Sequence, residues 1–245
     1  MIKYSEFLKE SDDKENMIDN IIKQCKAIGN EALLYRGVTE NTSYNTFGQS
    51  QSRVDRKPRD TNKKLHELID DEFQKQLSIR ARSSSTFVSK DRNMADDYTG
   101  DNGSVYIIIP ISAIYVYSEK IDDLTDFVNT PAKQVLVKLN INTELDMPER
   151  SLMTNLILAS LDSNPLSFGP QYQVVADNQE EYKKLAQEVL YKIVDSYSKQ
   201  SSLKHLKNNE IMLIGSFYYL QGDMFRRATN YLDLAELIKE KREKL

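Results

Sequence analysis

Five stretches of the chain repeat their apolar residues at three- and four-residue steps, the spacing of one face of an α-helix. Ile18, Ile21, Ile22, Cys25 and Ile28 make the first stripe. Asp12 and Glu15 can form a capping box ahead of it and Gly29-Asn30 stops it, so residues 1–30 should hold an N-terminal helix. Leu65, Leu68, Ile69, Phe73 and Leu77 make the second, with Thr61 or Asn62 as its cap. Leu152, Leu156 and Ala159 mark the third, over Glu149 to Leu161. Asp177 and Glu180 offer a capping box to the fourth, which carries Tyr182, Leu185, Val189, Ile193 and Tyr197 on one side. Met224, Ala228, Tyr231, Leu232, Ala235 and Ile238 predict a closing helix within residues 221–245, with a frayed, charged tail from Lys239.

Between these stripes lie runs with β character. Ala32 to Val38 is short, apolar and contains one Gly, and reads as a buried strand that leads into a polar loop reaching about residue 60. Ser78 to Ser89 has three consecutive serines and a Thr before Phe87-Val88. A polar helix is expected over Asp91 to Tyr98, then a turn at Gly100-Asp101-Asn102-Gly103. Val105 to Ile109 is a strand that Pro110 should end; Ile114 to Tyr117 and Gln134 to Leu139 are further strands, with a break at Thr130-Pro131. Asp162 to Gln173, with Pro165, Gly169 and Pro170, is a connecting loop. Glu210 to Leu220 has a central Gly and predicts two strands or one bent strand. Without internal repeats, this order gives an α+β fold, and residues 1–245 are taken as a single domain.

Composition narrows the chemistry. A lone Cys25 excludes an internal disulfide and a cysteine metal cluster, and two histidines, His66 and His205, make a zinc centre a poor expectation. No metal is expected. No apolar run is long enough to cross a bilayer, and Met1 to Glu15 carries charges where a secretion signal would be apolar, so a soluble protein of a reducing compartment is expected, without a membrane partner. The formal net charge of −4 argues against bulk nucleic-acid binding. Arg53 to Lys64, with six cations and two Asp, is the one basic stretch; it reads either as a solvated loop and helix start or as an anion-attracting patch.

Three short stretches put polar groups where a strand leaves the core: Tyr35-Arg36-Gly37; Arg82 to Ser89 with Ala95 and Tyr98 behind it; and Asn208-Asn209-Glu210. An Arg within an apolar strand needs an anion, either an internal carboxylate or a ligand phosphate. Gly37 beside it permits close approach to the backbone.

In this order the three stretches resemble the mono-ADP-ribosyltransferases of bacterial toxins and phages. Arg36 in LLYRGV matches the family's arginine on the first core strand, SSTFVS (Ser84 to Ser89) with Ala95 and Tyr98 looks like its serine-containing strand and following helix, and Glu210 in NNEIMLIGSFYYL looks like the glutamate that opens a later strand. The chain is also similar to uncharacterised phage proteins through DRKPRDT and RSSSTFVS…ADDY before VYIIIP. The resemblance implies a split β-sheet core with flanking helices and NAD as substrate. Glu210, Arg36 and Ser89 would be catalytic, and Arg36, Gly37, Ser84, Ser85, Thr86, Phe87 and Tyr98 would bind the dinucleotide. Asn208 and His205 would lie in a loop facing the target, a host macromolecule, protein rather than nucleic acid. A phage-encoded protein acting in a bacterial cytoplasm, or packaged in a phage particle, is implied. Two departures leave alternatives open. The usual Ser-Thr-Ser falls on Phe87-Val88-Ser89 or on Ser84-Ser85-Thr86, so either Ser89 or Ser85 could be the functional hydroxyl, and Asn208 stands where arginine-modifying members have Glu or Gln. A catalytically silent, virion-associated or partner-binding module is the alternative.

The chemistry suits these residue types. As nicotinamide leaves, positive charge builds on the ribose, and a carboxylate held near the sugar stabilises that state more than the ground state. Arg36 would fix a phosphate by paired charge-assisted bonds. Structural readings stand beside these: His66 is expected on the exposed side of its helix, His205 on the surface, and Cys25 buried and unreactive. Tyr106, Tyr115, Tyr117, Tyr218 and Tyr219 are expected to pack the sheet rather than stack bases.

Overall fold

In this computed structural model, residues 12–40, 46–58, 62–120, 149–204, 206 and 210–243 are described, with the backbone alone at 12, 13 and 149–153. In chain order the elements are α1 (Asp12–Ile28), β1 (Leu34–Val38), β2 (Phe47–Gln51), α2 (Lys63–Leu77), β3 (Thr86–Val88), α3 (Arg92–Asp97), β4 (Ser104–Ser118), α4 (Glu149–Leu161), α5 (Gln173–Asp177), α6 (Gln179–Asp195), β5 (Tyr197–Gln200), β6 (Ile211–Gln221) and α7 (Tyr231–Glu243). Short 3₁₀ turns occupy Pro165–Phe168, Pro170–Tyr172 and Gly222–Phe225. The fold is mixed α+β, with strands in the order β1-β4-β6-β2, β3 also paired to β6 and β5 to β4. The expected strand at Gln134 to Leu139 and the break at Thr130-Pro131 lie outside the described residues.

By its internal contacts the chain divides into two compact units, one of Met1–Ser52, Ser85–Val116 and Gln200–Leu245, the other of Arg53–Ser84 and Tyr117–Lys199. In the first, the expected apolar stripe of α1 is the buried one: Ile18, Ile21, Ile22 and Cys25 all lie inside, and α1 packs on α7. β1 runs antiparallel to the start of β4, from Leu34↔Ile108 to Val38↔Ser104. Tyr231 of α7 closes the end of that ladder: its buried hydroxyl accepts from Leu34 N–H (3.2 Å) and donates to the Ile108 carbonyl (2.7 Å).

Pro110 does not end β4, which continues unbroken to Ser118 and joins the two strands expected separately. The ladder with β1 has already finished at Ile108, so β1 makes no demand on the missing N–H, and the Pro110 carbonyl accepts from Gln24 Nε2 at 2.6 Å. β2 was expected to be loop; it pairs with β6 from Phe47↔Leu220 to Gln51↔Ser216 despite its polar FGQSQ sequence. β6 is a single strand, bent at Gly215, where φ is +139° and a side chain would overlap the Ser112 carbonyl oxygen. Ser52 holds this bend from its other side, donating its N–H to the Gly215 carbonyl (2.9 Å) and accepting the Gly215 N–H on Oγ (3.0 Å). The closing helix starts only at Tyr231, after the 3₁₀ turn that contains Met224.

In the second unit Asn62 is the cap of α2, its side chain accepting from the N–H groups of Lys64 and Leu65. Leu65, Ile69 and Phe73 bury the helix, and the Phe73 ring meets Tyr197 edge-on at 5.1 Å between centroids. Asp177 does not cap the long helix. It is the last residue of α5, and Asn178 precedes α6 without a side-chain capping bond. Among the described residues no helix is long and apolar enough to cross a membrane.

Candidate functional site

β3 links the strands that carry the candidate residues, and it does so within the first unit. Ser89, one residue past β3, exchanges both backbone hydrogen bonds with Tyr35 of β1, at 2.7 and 2.9 Å. Along its other edge β3 pairs with β6 in the register Thr86↔Leu213, Phe87↔Met212, Val88↔Ile211. One further step of that register falls on Ser89 and Glu210. Ser89 is thus bonded to Tyr35 on one side, and on the other the β3–β6 ladder ends one residue short of Glu210. Arg36, in the middle of β1, is therefore next to the Tyr35–Ser89 pair, while Glu210 directly precedes β6.

β1 and β3 share this one pair and then part. In an antiparallel ladder the N–H and C=O of alternate residues point to alternate sides. Tyr35 spends both on Ser89, so Gly37, two residues on, turns its own N–H and C=O toward the opening between β1 and β3 and away from β4. The face of Gly37 where a side chain would project is closed by α3: a Cβ there would overlap the Ala95 carbonyl oxygen and stand 3.1 Å from Tyr98 Cβ. The close approach that glycine permits is therefore made by α3, and the small residue at Ala95, 3% exposed, belongs to the same contact. Arg36 leaves β1 on the opposite face, which α3 does not cover. Ser89 projects with Tyr35 on the α3 side, and its Oγ accepts the Asp91 N–H at 3.0 Å at the start of that helix. Arg36 and Ser89 therefore project on opposite faces of the β1–β3 pair.

The remaining candidates fall as follows. Thr86 is buried in β3 and Phe87 half-buried; Ser85 is 1% exposed, and its Oγ has no hydrogen-bond partner among the described residues. Tyr98 is 44% exposed at the end of α3. Ser84 belongs to the second unit, where its N–H closes a turn onto the Arg80 carbonyl. Asn208 and His205 lie outside the described residues.

Two residues that the sequence did not single out also border the site. Lys90, directly after Ser89, donates to the carbonyls of Leu203 (3.0 Å) and Leu206 (2.7 Å), upstream of Glu210; burial lowers its pKa and Glu31 partly offsets that. Arg92 of α3 pairs with Asp223 at 2.7 Å and pulls back the pKa of Tyr35, which burial raises. Burial also pushes the Asp223 carboxyl up, but bonds from Arg226 and Arg92 outweigh it and hold it below the usual range. A lysine immediately after the serine-bearing strand was the readable signal; the carbonyls it binds were not.

His66 is not on the exposed side of its helix. It is 3% exposed, because the turn after α2 folds back over it. Asp70, fully buried, fixes that turn by accepting the N–H groups of Arg82 (2.8 Å) and Ser83 (3.2 Å). Arg82 Nε donates to His66 Nδ1 at 3.3 Å, so Nε2 carries the proton and donates to Ser83 Oγ at 3.3 Å. That tautomer cannot take a proton from Ser83, so this serine–histidine pair is a structural lock rather than a nucleophile. The basic stretch is partly neutralised within its own unit: Arg53 pairs with Asp55, Lys63 with Glu67 and Lys64 with Asp162. Cys25 is fully buried, with burial pushing its thiol up to about 12, and all five sheet tyrosines are buried.

Compared with protein-family models, curated proteins and solved structures, the chain matches none of them.

Proposed function

We propose that this protein is an NAD-dependent mono-ADP-ribosyltransferase that modifies a host macromolecule, a protein rather than a nucleic acid, and is encoded by a phage and active in the bacterial cytoplasm. The observation that supports the reading is the register through β3, which bonds Ser89 to Tyr35 on one edge and, continued by one residue, meets Glu210 on the other. The opening between β1 and β3 is the proposed NAD site. There the N–H and C=O of Gly37 form a donor–acceptor pair complementary to the carboxamide of nicotinamide. Arg36 holds a phosphate of the dinucleotide, and Tyr98, exposed at the rim, packs against the nicotinamide ring. The glycosidic bond between C1′ and nicotinamide breaks with its electron pair leaving on nicotinamide. Glu210 stabilises the positive charge that develops on the ribose, and an acceptor side chain then attacks C1′ and loses its proton. Ser89, one register step from Glu210, is the positioning residue for it, its Oγ held by the Asp91 N–H.

That engagement of Ser89 in the start of α3 also favours a second reading, a catalytically silent module that keeps the fold to bind a partner. Labelled NAD incubated with the protein and a bacterial extract separates the two. Wild-type protein should transfer label and release nicotinamide, and Glu210→Ala should do neither. Equal results from the two proteins would reject the transferase.

A further inference from the structure

We propose that Lys90 is a positioning residue that sets where Glu210 stands, by clamping the turn that precedes it; the inference rests on the transferase reading. Glu210 needs a support on each side. Downstream it has one, because Ile211 is paired with Val88. Upstream, among the described residues, the turn next before it in sequence is the one in which Leu206 N–H bonds the Leu203 carbonyl at 3.1 Å, with both leucine side chains buried. The Lys90 ammonium closes this turn by donating to both of its outer carbonyls, Leu203 at 3.0 Å and Leu206 at 2.7 Å. Lys90 is itself held, since Ser89 before it is locked to Tyr35 by two backbone bonds. One short chain of bonds therefore runs from the Arg36 strand, through Ser89 and Lys90, to a point four residues before the carboxylate. Charge-assisted bonds to two carbonyls in a half-buried setting are the strong kind. A displacement of about 1 Å at a reacting group is enough to cost roughly 100-fold in rate.

The test uses the full chain carrying Lys90→Met, which keeps the aliphatic stem and removes the donors, and Lys90→Arg, which keeps charge and donors. Thermal unfolding establishes that each variant folds, with Lys90→Gln substituted for the Met variant if that one does not. Hydrogen exchange of the 201–210 segment, read by mass spectrometry, should speed up by about tenfold in Lys90→Met and much less in Lys90→Arg. In NAD turnover, Lys90→Met should lose about tenfold in kcat with KM for NAD within about twofold, and Lys90→Arg should recover most of the loss. Unchanged exchange in Lys90→Met, or a raised KM with kcat intact, overturns the proposal. If wild-type protein turns over no NAD, the transferase reading fails and the catalytic role of Lys90 with it, while exchange still decides whether the clamp exists.

Discussion

Replacing Gly37 with Ala tests the packing that shapes the candidate site. The added methyl would overlap the Ala95 carbonyl oxygen and lie 3.1 Å from the Ala95 carbonyl carbon and from Tyr98 Cβ. The obstacle is helix backbone and not the free end of a side chain, so α3 must withdraw by roughly 1.5 Å to restore ordinary contact. Overpacking of this kind costs about 1–3 kcal/mol, and a rigid backbone obstacle puts the expectation at the upper end, about 3 kcal/mol. For a chain of this size that is a fall in unfolding temperature of roughly 6–12 °C. Urea unfolding followed by circular dichroism measures it, with the denaturant slope checked so that the loss can be assigned to the folded state. Because withdrawal of α3 also shifts the edge of β1 that carries the Gly37 N–H and C=O, NAD binding should weaken in the same variant. A midpoint within about 0.5 kcal/mol of wild type would show that α3 does not seat against Gly37 and would refute the geometry of the opening.

Tyr231→Phe should destabilise the protein by about 2–4 kcal/mol, because Leu34 N–H and the Ile108 carbonyl lose their shared hydroxyl in the core; a loss under about 0.5 kcal/mol in the same urea assay would show that the bridge is not formed. Burial and the nearby Arg82 guanidinium lower the pKa of His66, so the unfolded chain takes up this proton more readily than the folded one. Its contribution is complete above the unfolded value of about 6.5 and drains away as pH falls below it. The stability difference between wild type and His66→Gln should therefore shrink from pH 7.5 to pH 5, and a constant difference would contradict this. Cys25, with its thiol pushed up to about 12 and no exposure, should react with Ellman's reagent only in denaturant; rapid labelling of the native protein would place α1 wrongly.

What could be read from the sequence was governed by periodicity. The stripe Ile18, Ile21, Ile22, Cys25 marked α1 and its buried face, since three- and four-residue spacing has one physical meaning in a helix. Asn62 was legible as a cap through its side-chain acceptor, whereas Asp91, expected inside its helix, turns out to cap it. β2 was not, because FGQSQ has little β character of its own and owes its conformation to the edge of β6. Pro110 misled because its effect depends on whether a neighbour needs its N–H, which only the register can show. His66 misled likewise: the turn that covers it is held by Asp70, a contact invisible to helical spacing. For the candidate site, the sequence offered Arg36, Ser89 and Glu210 by residue type and order, whereas the pairing of β3 with both β1 and β6, the seat of α3 on Gly37 and the carbonyls bound by Lys90 are products of tertiary pairing.

The opening between β1 and β3 is the heart of the account, and a crystal soaked with NAD interrogates it in one step. The carboxamide should hydrogen-bond the N–H and C=O of Gly37, with a phosphate at Arg36 and the ribose beside Glu210. Dinucleotide bound elsewhere, or none in the opening at saturating concentration, would contradict it.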